Sequence, residues 1–411
     1  MTAPITHGLR PMRGRDLDAE HRPASTLELL FDLAFVIAFS VAGSEFAHLI
    51  AEGHYSAGLQ AFGFAMFAVV WAWINFSWFA SAYDTDDWIY RLTTMVQMVG
   101  VVILSLGLPA MFHSVDEGGR LDNRAMVVGY VIMRVPMVSQ WLRAARQDPD
   151  RCRTCKIYAI SISITQVGWI LLLLVDAEAS TMLMLGVPLV LAELAGPLYA
   201  ERVVGGTPWH PHHIAERYGL LAIITLGEVL LGTVTSLGAV IDHDGWTIDA
   251  ALIAVGGVGL TFGMWWIYFL LPAGHVLQHR REKSFVWGYG HIFVFAAIAA
   301  VGAGLHVAAL AIEQEADISN TVVMWSIAIP VALYFFSLGG LFGNMISWRS
   351  HTTWLTVVKL GIASGSVALA AAGVDLAVCI LVIALAPAVT VVAEETGVGR
   401  LRPDELAEAI R

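Results

Sequence analysis

Two acids stand where a bilayer would not tolerate them alone. Glu28 and Asp32 lie four residues apart in the apolar stretch STLELLFDLAFVIAFSVAGSEFAHLI, residues 25–50. On a helix they share one face, with Asp32 about 6 Å deeper than Glu28. An ionised carboxylate in hydrocarbon is costly, so it must face protein, water or a cation. Glu28 also fits a humbler role: behind Ser25 or Thr26 it is placed as the acid of a capping box. Asp32 is too deep for that and needs a partner inside a bundle. The partner expected from the sequence is Arg134, mid-way along AMVVGYVIMRVPMVSQWLR, where a guanidinium cannot easily reach water. A buried ion pair that only locks two helices accounts for Arg134 equally well.

The second polar stretch is HPHHIAERYGLLAIITLGEVLLGTVTS, residues 210–236. It places Glu216 and Arg217 near one end and Glu228 about 18 Å deeper. Thr225, Gly227 and Gly232 surround Glu228 with small or polar groups, as where helices pack closely or line water. Burial there suits Glu228 to gaining and losing a proton; the alternative is a glutamic acid bonded to a backbone carbonyl. His210, His212, His213 and Glu216 are dense enough to suggest zinc, but Pro211 breaks the spacing, and no metal is expected. His212 shares a face with Glu216, and His213 with Arg217.

Asp84, Asp86 and Asp87 precede Arg91 at the start of another apolar run. Such acids can hold magnesium and a diphosphate, yet the loop HVLQHRREKS, where a second cluster would fall, is basic. Stabilising the start of a helix is the local reading. Cys152 and Cys155 form a lone CxxC, read as reduced thiols. Trp71, Trp73, Trp78, Trp265 and Trp266 are read as interfacial anchors. His291, His306, Glu193 and Lys359 are read as packing residues. No cofactor motif is found.

The elements that must position these residues are membrane spans. The 411 residues are 57% hydrophobic and 14% charged, against about 25% charged in soluble domains. Apolar runs predict an all-α bundle of about twelve spanning helices near 27–50, 58–80, 91–112, 125–143, 157–175, 181–200, 214–240, 249–271, 285–311, 321–343, 353–372 and 374–393. Residues 1–25 carry no signal-peptide pattern and are read as a cytoplasmic segment, as are 394–411. Net charge is −11, but bases collect in alternate loops: Arg10, Arg13, Arg15 and Arg22; Arg143 to Lys156; Arg280, Arg281 and Lys283; Arg349; Arg400 and Arg402. The other loops read DAEAS, IDHDGWTID and EQEAD. The positive-inside rule then puts both termini in the cytoplasm. The acidic SAYDTDDWIY on the inner side runs mildly against this.

A faint repeat is present. WAWINF resembles MWWIYF, ELLFDLAFVIAF resembles ERYGLLAIITLG, and MRVPMV resembles IAIPVA, at offsets of 193, 188 and 194 residues. Two parallel six-helix halves, 26–205 and 206–393, would produce it, an architecture of secondary transporters.

The blocks ELLFDLAFVIAFS, WAWINFSWFASAYDTDDWIYRL and HHIAERYGLLAIITLGEVLLG resemble the bacterial low temperature requirement protein A family, from about Glu28 into the twelfth helix. Glu28, Phe31 and Asp32 match its first motif; Asp84, Asp86, Asp87 and Arg91 its second; Glu216, Arg217, Gly227 and Glu228 its third. AFSVAGSEFAHL departs from the family's more polar continuation of the first helix. The resemblance implies a polytopic inner-membrane protein linked by name to growth in the cold, with no established reaction. A proton-coupled permease is the leading expectation, with Asp32, Arg134 and Glu228 as its centre. An intramembrane enzyme acting on a lipid or isoprenoid, and a scaffold or sensor without turnover, are the alternatives. Expected partners are the lipid bilayer, a small solute or ion, and a second copy of the chain, but not nucleic acid.

Overall fold

The computed structural model of the chain describes residues 8–16, 23–316, 318–345 and 352–396. Arg22, Asp317, Arg349, Arg400, Arg402 and most of the expected tail at 394–411 lie outside the described residues. Among the described residues, twelve helices are long and apolar enough to cross a membrane. They are α1 (Thr26–Ala51), α2 (Tyr55–Tyr83), α3 (Trp88–Asp116), α4 (Arg124–Gln147), α5 (Pro149–Leu172), α6 (Ala179–Val204), α7 (Pro211–Asp244), α8 (Ile248–His279), α9 (Arg281–Ile312), α10 (Asn320–Met345), α11 (Trp354–Ala371) and α12 (Leu376–Glu395). Among the described residues the only strand-like pairing is one bridge, Arg120 to Glu178. The all-α, twelve-span expectation is met, and the chain is an integral membrane protein.

Local chemistry sets the helix starts. The Ser25 amide donates to Glu28 Oε2 at 2.7 Å and the Glu28 amide to Ser25 Oγ at 3.3 Å, the reciprocal capping box expected at α1. Asp87 caps α3, Thr247 α8 and Asp375 α12. Prolines inside α4, α6, α10 and α12 are tolerated because neighbouring helices can satisfy the freed carbonyls.

The chain divides into two compact units: residues 1–41 with 67–217, and residues 42–66 with 218–411. In the first, the N-terminal segment lies across the helix ends. Arg10 N donates to Asp87 at 3.2 Å, Met12 N to Gln147 at 2.6 Å, Gly14 N to Asp148 at 3.1 Å and Arg15 N to the Ala82 carbonyl at 3.1 Å. His210 N donates to Ser81 Oγ at 3.0 Å. These bonds gather the N-terminal segment and the connections after α2, α4 and α6 at one end, as alternation of spans requires.

The second unit is built around α9, its most enclosed span. The run AAIAAVGAGL keeps side chains small there. A Cβ on Gly302 would stand 2.5 Å from the Glu228 carbonyl oxygen, and one on Gly232 would strike the Gly302 carbonyl. Ser236 Oγ donates to Leu305 O at 2.6 Å across the same seam.

Candidate functional site

Three helix faces of the first unit converge, each offering residues four apart. α1 offers Glu28 and Asp32, α2 Trp73 and Ser77, and α7 His213 and Arg217. Glu28 is the third residue of α1 and Asp32 the seventh; His213 and Arg217 hold the same places in α7. The two helix starts therefore run side by side in parallel and form two rungs. His213 Nε2 lies 3.1 Å from Glu28 Oε1, and Arg217 Nη2 lies 2.6 Å from Asp32 Oδ1. All four side chains are fully buried. Trp73 Nε1 donates to Asp32 Oδ1 at 2.7 Å, and Arg217 also reaches Ser77 Oγ at 3.3 Å while lying over the Trp73 ring. Glu216 faces elsewhere, accepting from Ala24 N at 3.2 Å. The His212 ring lies 5.9 Å from that of His210.

The ladder is only half satisfied. Asp32 Oδ2, Arg217 Nε and Nη1, and His213 Nδ1 are buried without a hydrogen-bond partner among the described residues. A pair kept only for packing gains most when every lone pair and proton is matched, and an unmatched buried polar atom costs about 1–3 kcal/mol. The arrangement suits groups that exchange partners.

Arg134 is not the partner of Asp32. Its Nη1 binds Glu193 Oε1 at 2.5 Å and Thr165 Oγ1 at 3.1 Å. Depth explains the difference. Asp32 lies six residues from the start of α1, about 9 Å, whereas Arg134 lies thirteen residues from the matching end of α4, about 20 Å. Glu193, eleven residues from the end of α6, is at the level of Arg134. Glu193 also accepts from Trp71 Nε1 at 3.0 Å and Trp169 Nε1 at 3.2 Å. Glu193 is thus more than a generic packing residue: it is the counter-ion of Arg134.

Trp71 and Trp73 are not interfacial anchors. They are 1% and 0% exposed, and each indole donates to a buried carboxylate. Trp265, 37% exposed, keeps a surface position. The donor role of these indoles, and Ser77 and Thr165, were not expected from the sequence; for the indoles and Ser77 the signal was WAWINFS, which puts hydrogen-bond donors at span depth.

The aspartates before α3 are already engaged. Asp86 makes a two-bond pair with Arg91, at 2.8 and 3.0 Å. Asp87 accepts from Arg143 and from the amides of Tyr90 and Arg10. Asp84 Oδ1 accepts from the Asp86 amide at 2.8 Å. Burial opposes ionisation of Asp87, but the Arg143 hydrogen bond, the two amides and the Arg143 charge outweigh it and hold the carboxyl down to about 2. The acidity of this loop is thereby matched by neighbouring arginines. The carboxylates are helix-end and ion-pair groups, the local role expected. Cys152 and Cys155 are not disulfide-bonded.

Glu228 belongs to the second unit, 8% exposed, with Gly43 and Gly302 close to it. In that unit His291 is fixed in one tautomer: Nδ1, 2.7 Å from the Trp287 carbonyl, must donate, so Nε2 accepts from the Tyr268 hydroxyl at 2.9 Å. His291 has the packing role expected. Lys359 lies over the Phe335 ring at 4.6 Å.

Comparison with known proteins places this geometry in a lineage. The bacterial low temperature requirement A protein (LtrA) profile matches residues 23–393, which take in both rungs, Arg134, Glu193 and Glu228. Uncharacterized protein RA0937 of Rhizobium meliloti (strain 1021) is 26% identical over 305 residues, 70% of this chain and 68% of that protein. No solved structure matches the chain. From its capping box to its last spanning helix, the chain belongs to the bacterial low temperature requirement A protein family.

Proposed function

We propose that the chain is a proton-coupled secondary transporter of the bacterial cytoplasmic membrane, with both termini on the cytoplasmic side. The observation that carries this is the half-satisfied ladder Glu28–His213 and Asp32–Arg217 at the start of two spanning helices. Protonating Asp32 removes the charge that holds Arg217 and frees a guanidinium already carrying unused donors. Returning the proton restores the pair. Such an element has two arrangements that a proton can bias, the minimum coupling requires. Glu228 is the second proton-carrying group in this reading. Parallel leading helices with charged residues at equal positions also suit two six-helix halves in one orientation. The cold-linked family name corresponds to an expected growth defect at low temperature when the transporter is lost.

The test is proton entry into proteoliposomes holding the full chain, read by an internal pH-sensitive dye against a panel of small solutes. Solute-dependent acidification should occur with the wild type and vanish in Asp32→Asn/Arg217→Gln, which removes both charges together and so spares the fold. Glu228→Gln should also abolish it. Acidification no faster than in empty liposomes for every solute would remove the transport reading. Unchanged acidification in both variants would remove the ladder and Glu228 from it.

A further inference from the structure

Within the first unit, the way α3 meets α4 leaves a small polar gap. At Gly100 and Gly129 the two backbones nearly touch: a Cβ on either glycine would stand 2.6 Å from the other's carbonyl oxygen. Nearer the end gathered by the N-terminal segment, Gln140 Nε2 donates to Thr93 Oγ1 across the same seam. Gln97 lies between these two fastenings, about one helical turn from Thr93 and from Gly100. It is 4% exposed, and its side chain makes no hydrogen bond among the described residues. Instead it borders a cavity of about 20 Å³, whose wall also holds Ala72, Asn75, Met133, Arg134 and Met137. Asn75 spends its amide on the Trp71 carbonyl at 2.8 Å, which leaves its own oxygen to accept. Arg134 binds Glu193 and Thr165 through Nη1 and keeps further N–H donors.

Size and charge together identify the guest. The volume admits about one water molecule, so any solute with several heavy atoms is too large. Arg134 is already matched by Glu193 at 2.5 Å, so a small ion of either sign would bring an unbalanced charge into a low dielectric. A neutral molecule remains, and it must both accept and donate. Arg134 and the Gln97 amide offer hydrogens; the Asn75 and Gln97 oxygens receive them. A water molecule has this pattern, and an interior water needs two to four such partners. We infer that this cavity is the binding site of a single water molecule that bridges Asn75, Gln97 and Arg134, and with them α2, α3 and α4. The water gives Arg134 a partner beyond Glu193 and Thr165. The unmatched atoms of the ladder gain nothing from it, since Asp32, His213 and Arg217 do not border the cavity. The assignment holds whether or not the chain transports a solute.

The test is radiolytic footprinting of the purified full chain in detergent. A brief synchrotron X-ray exposure turns bound water into hydroxyl radicals in place. A buried side chain beside such a water is then oxidised, and an equally buried one elsewhere is not. Met133 and Met137, in the cavity wall, are the reporters; Met264 and Met324, buried and outside it, are the references. Mass spectrometry should find sulfoxide at Met133 and Met137 well above the references. In Gln97→Leu, which removes the water's central partner, that excess should be lost. Ala72→Val, which narrows the cavity without removing a polar group, should lose it as well and stands in where Gln97→Leu fails to fold. Oxidation of Met133 and Met137 no faster than that of the references, or undiminished in these variants, would overturn the assignment. Loss of the excess on adding ammonium chloride, but not N-methylglucamine chloride, would make the guest a cation and overturn it too.

Discussion

Asp32 receives an arginine and a tryptophan, Glu193 an arginine and two tryptophans, and the two kinds of donor do different work. The guanidinium supplies charge; the indole, which can only donate, fixes the carboxylate without adding any. Removing the two should therefore cost differently. Glu193→Gln leaves Arg134 buried without a counter-charge and should destabilise the protein by about 3–5 kcal/mol, whereas Trp71→Phe loses one hydrogen bond, about 1 kcal/mol. Replacing the pair, Arg134→Met with Glu193→Leu, should cost less than Glu193→Gln alone. Denaturant unfolding in detergent micelles measures all three. At this scale the sequence revealed residue type and depth. Asp32, Arg134 and Glu228 are buried as their positions in apolar runs required. It did not reveal partners, because hydropathy reports how far along a helix a group lies and not which way round it faces. The bonds of Asp32 to Arg217 and of Arg134 to Glu193 span 185 and 59 residues and exist only once α1 meets α7 and α4 meets α6.

Helix ends and helix seams were legible to different degrees. The box at Ser25 and Glu28 is written in consecutive residues, and it formed. Ends drawn from apolar runs fell short where polar turns continue a helix: α7 runs Pro211–Asp244 against the expected 214–240. The cap of α3 gives a measurable pH dependence. The carboxyl of Asp87 titrates near 2 when folded, below the ordinary aspartate value of about 3.9. Its contribution is therefore complete above the ordinary value and is lost as pH falls toward about 2. Asp87→Asn should be less stable by about 1–2 kcal/mol at neutral pH. The gap between the two unfolding temperatures should close across that acidic interval. At the seam of α7 and α9, Gly302→Val would drive a side chain into the Glu228 carbonyl. A loss of about 2 kcal/mol or more, or failure to fold, is expected, while Gly227→Ala, with nothing within 4 Å of the added carbon, should be tolerated in thermal unfolding.

Across the whole molecule, span count and class were open to reading because hydrocarbon imposes a minimum length and excludes charge whatever the tertiary arrangement. Sidedness is the proposal that remains to be measured. Reporter fusions placed after Gln147 and after Asp244 should report opposite sides of the membrane, with the first cytoplasmic. The N-terminal segment bears on how the protein is made. Met12 and Gly14 bond to Gln147 and Asp148, over separations of 135 and 134 residues. These acceptors do not exist until four spans have left the ribosome. Met12 and Gly14 must therefore wait, unsecured, while later residues insert, and their docking is among the last steps that complete this end of the unit. A tag fused ahead of Gly8 would test patience more than insertion: spans should enter the membrane on schedule while closure of the segment is delayed.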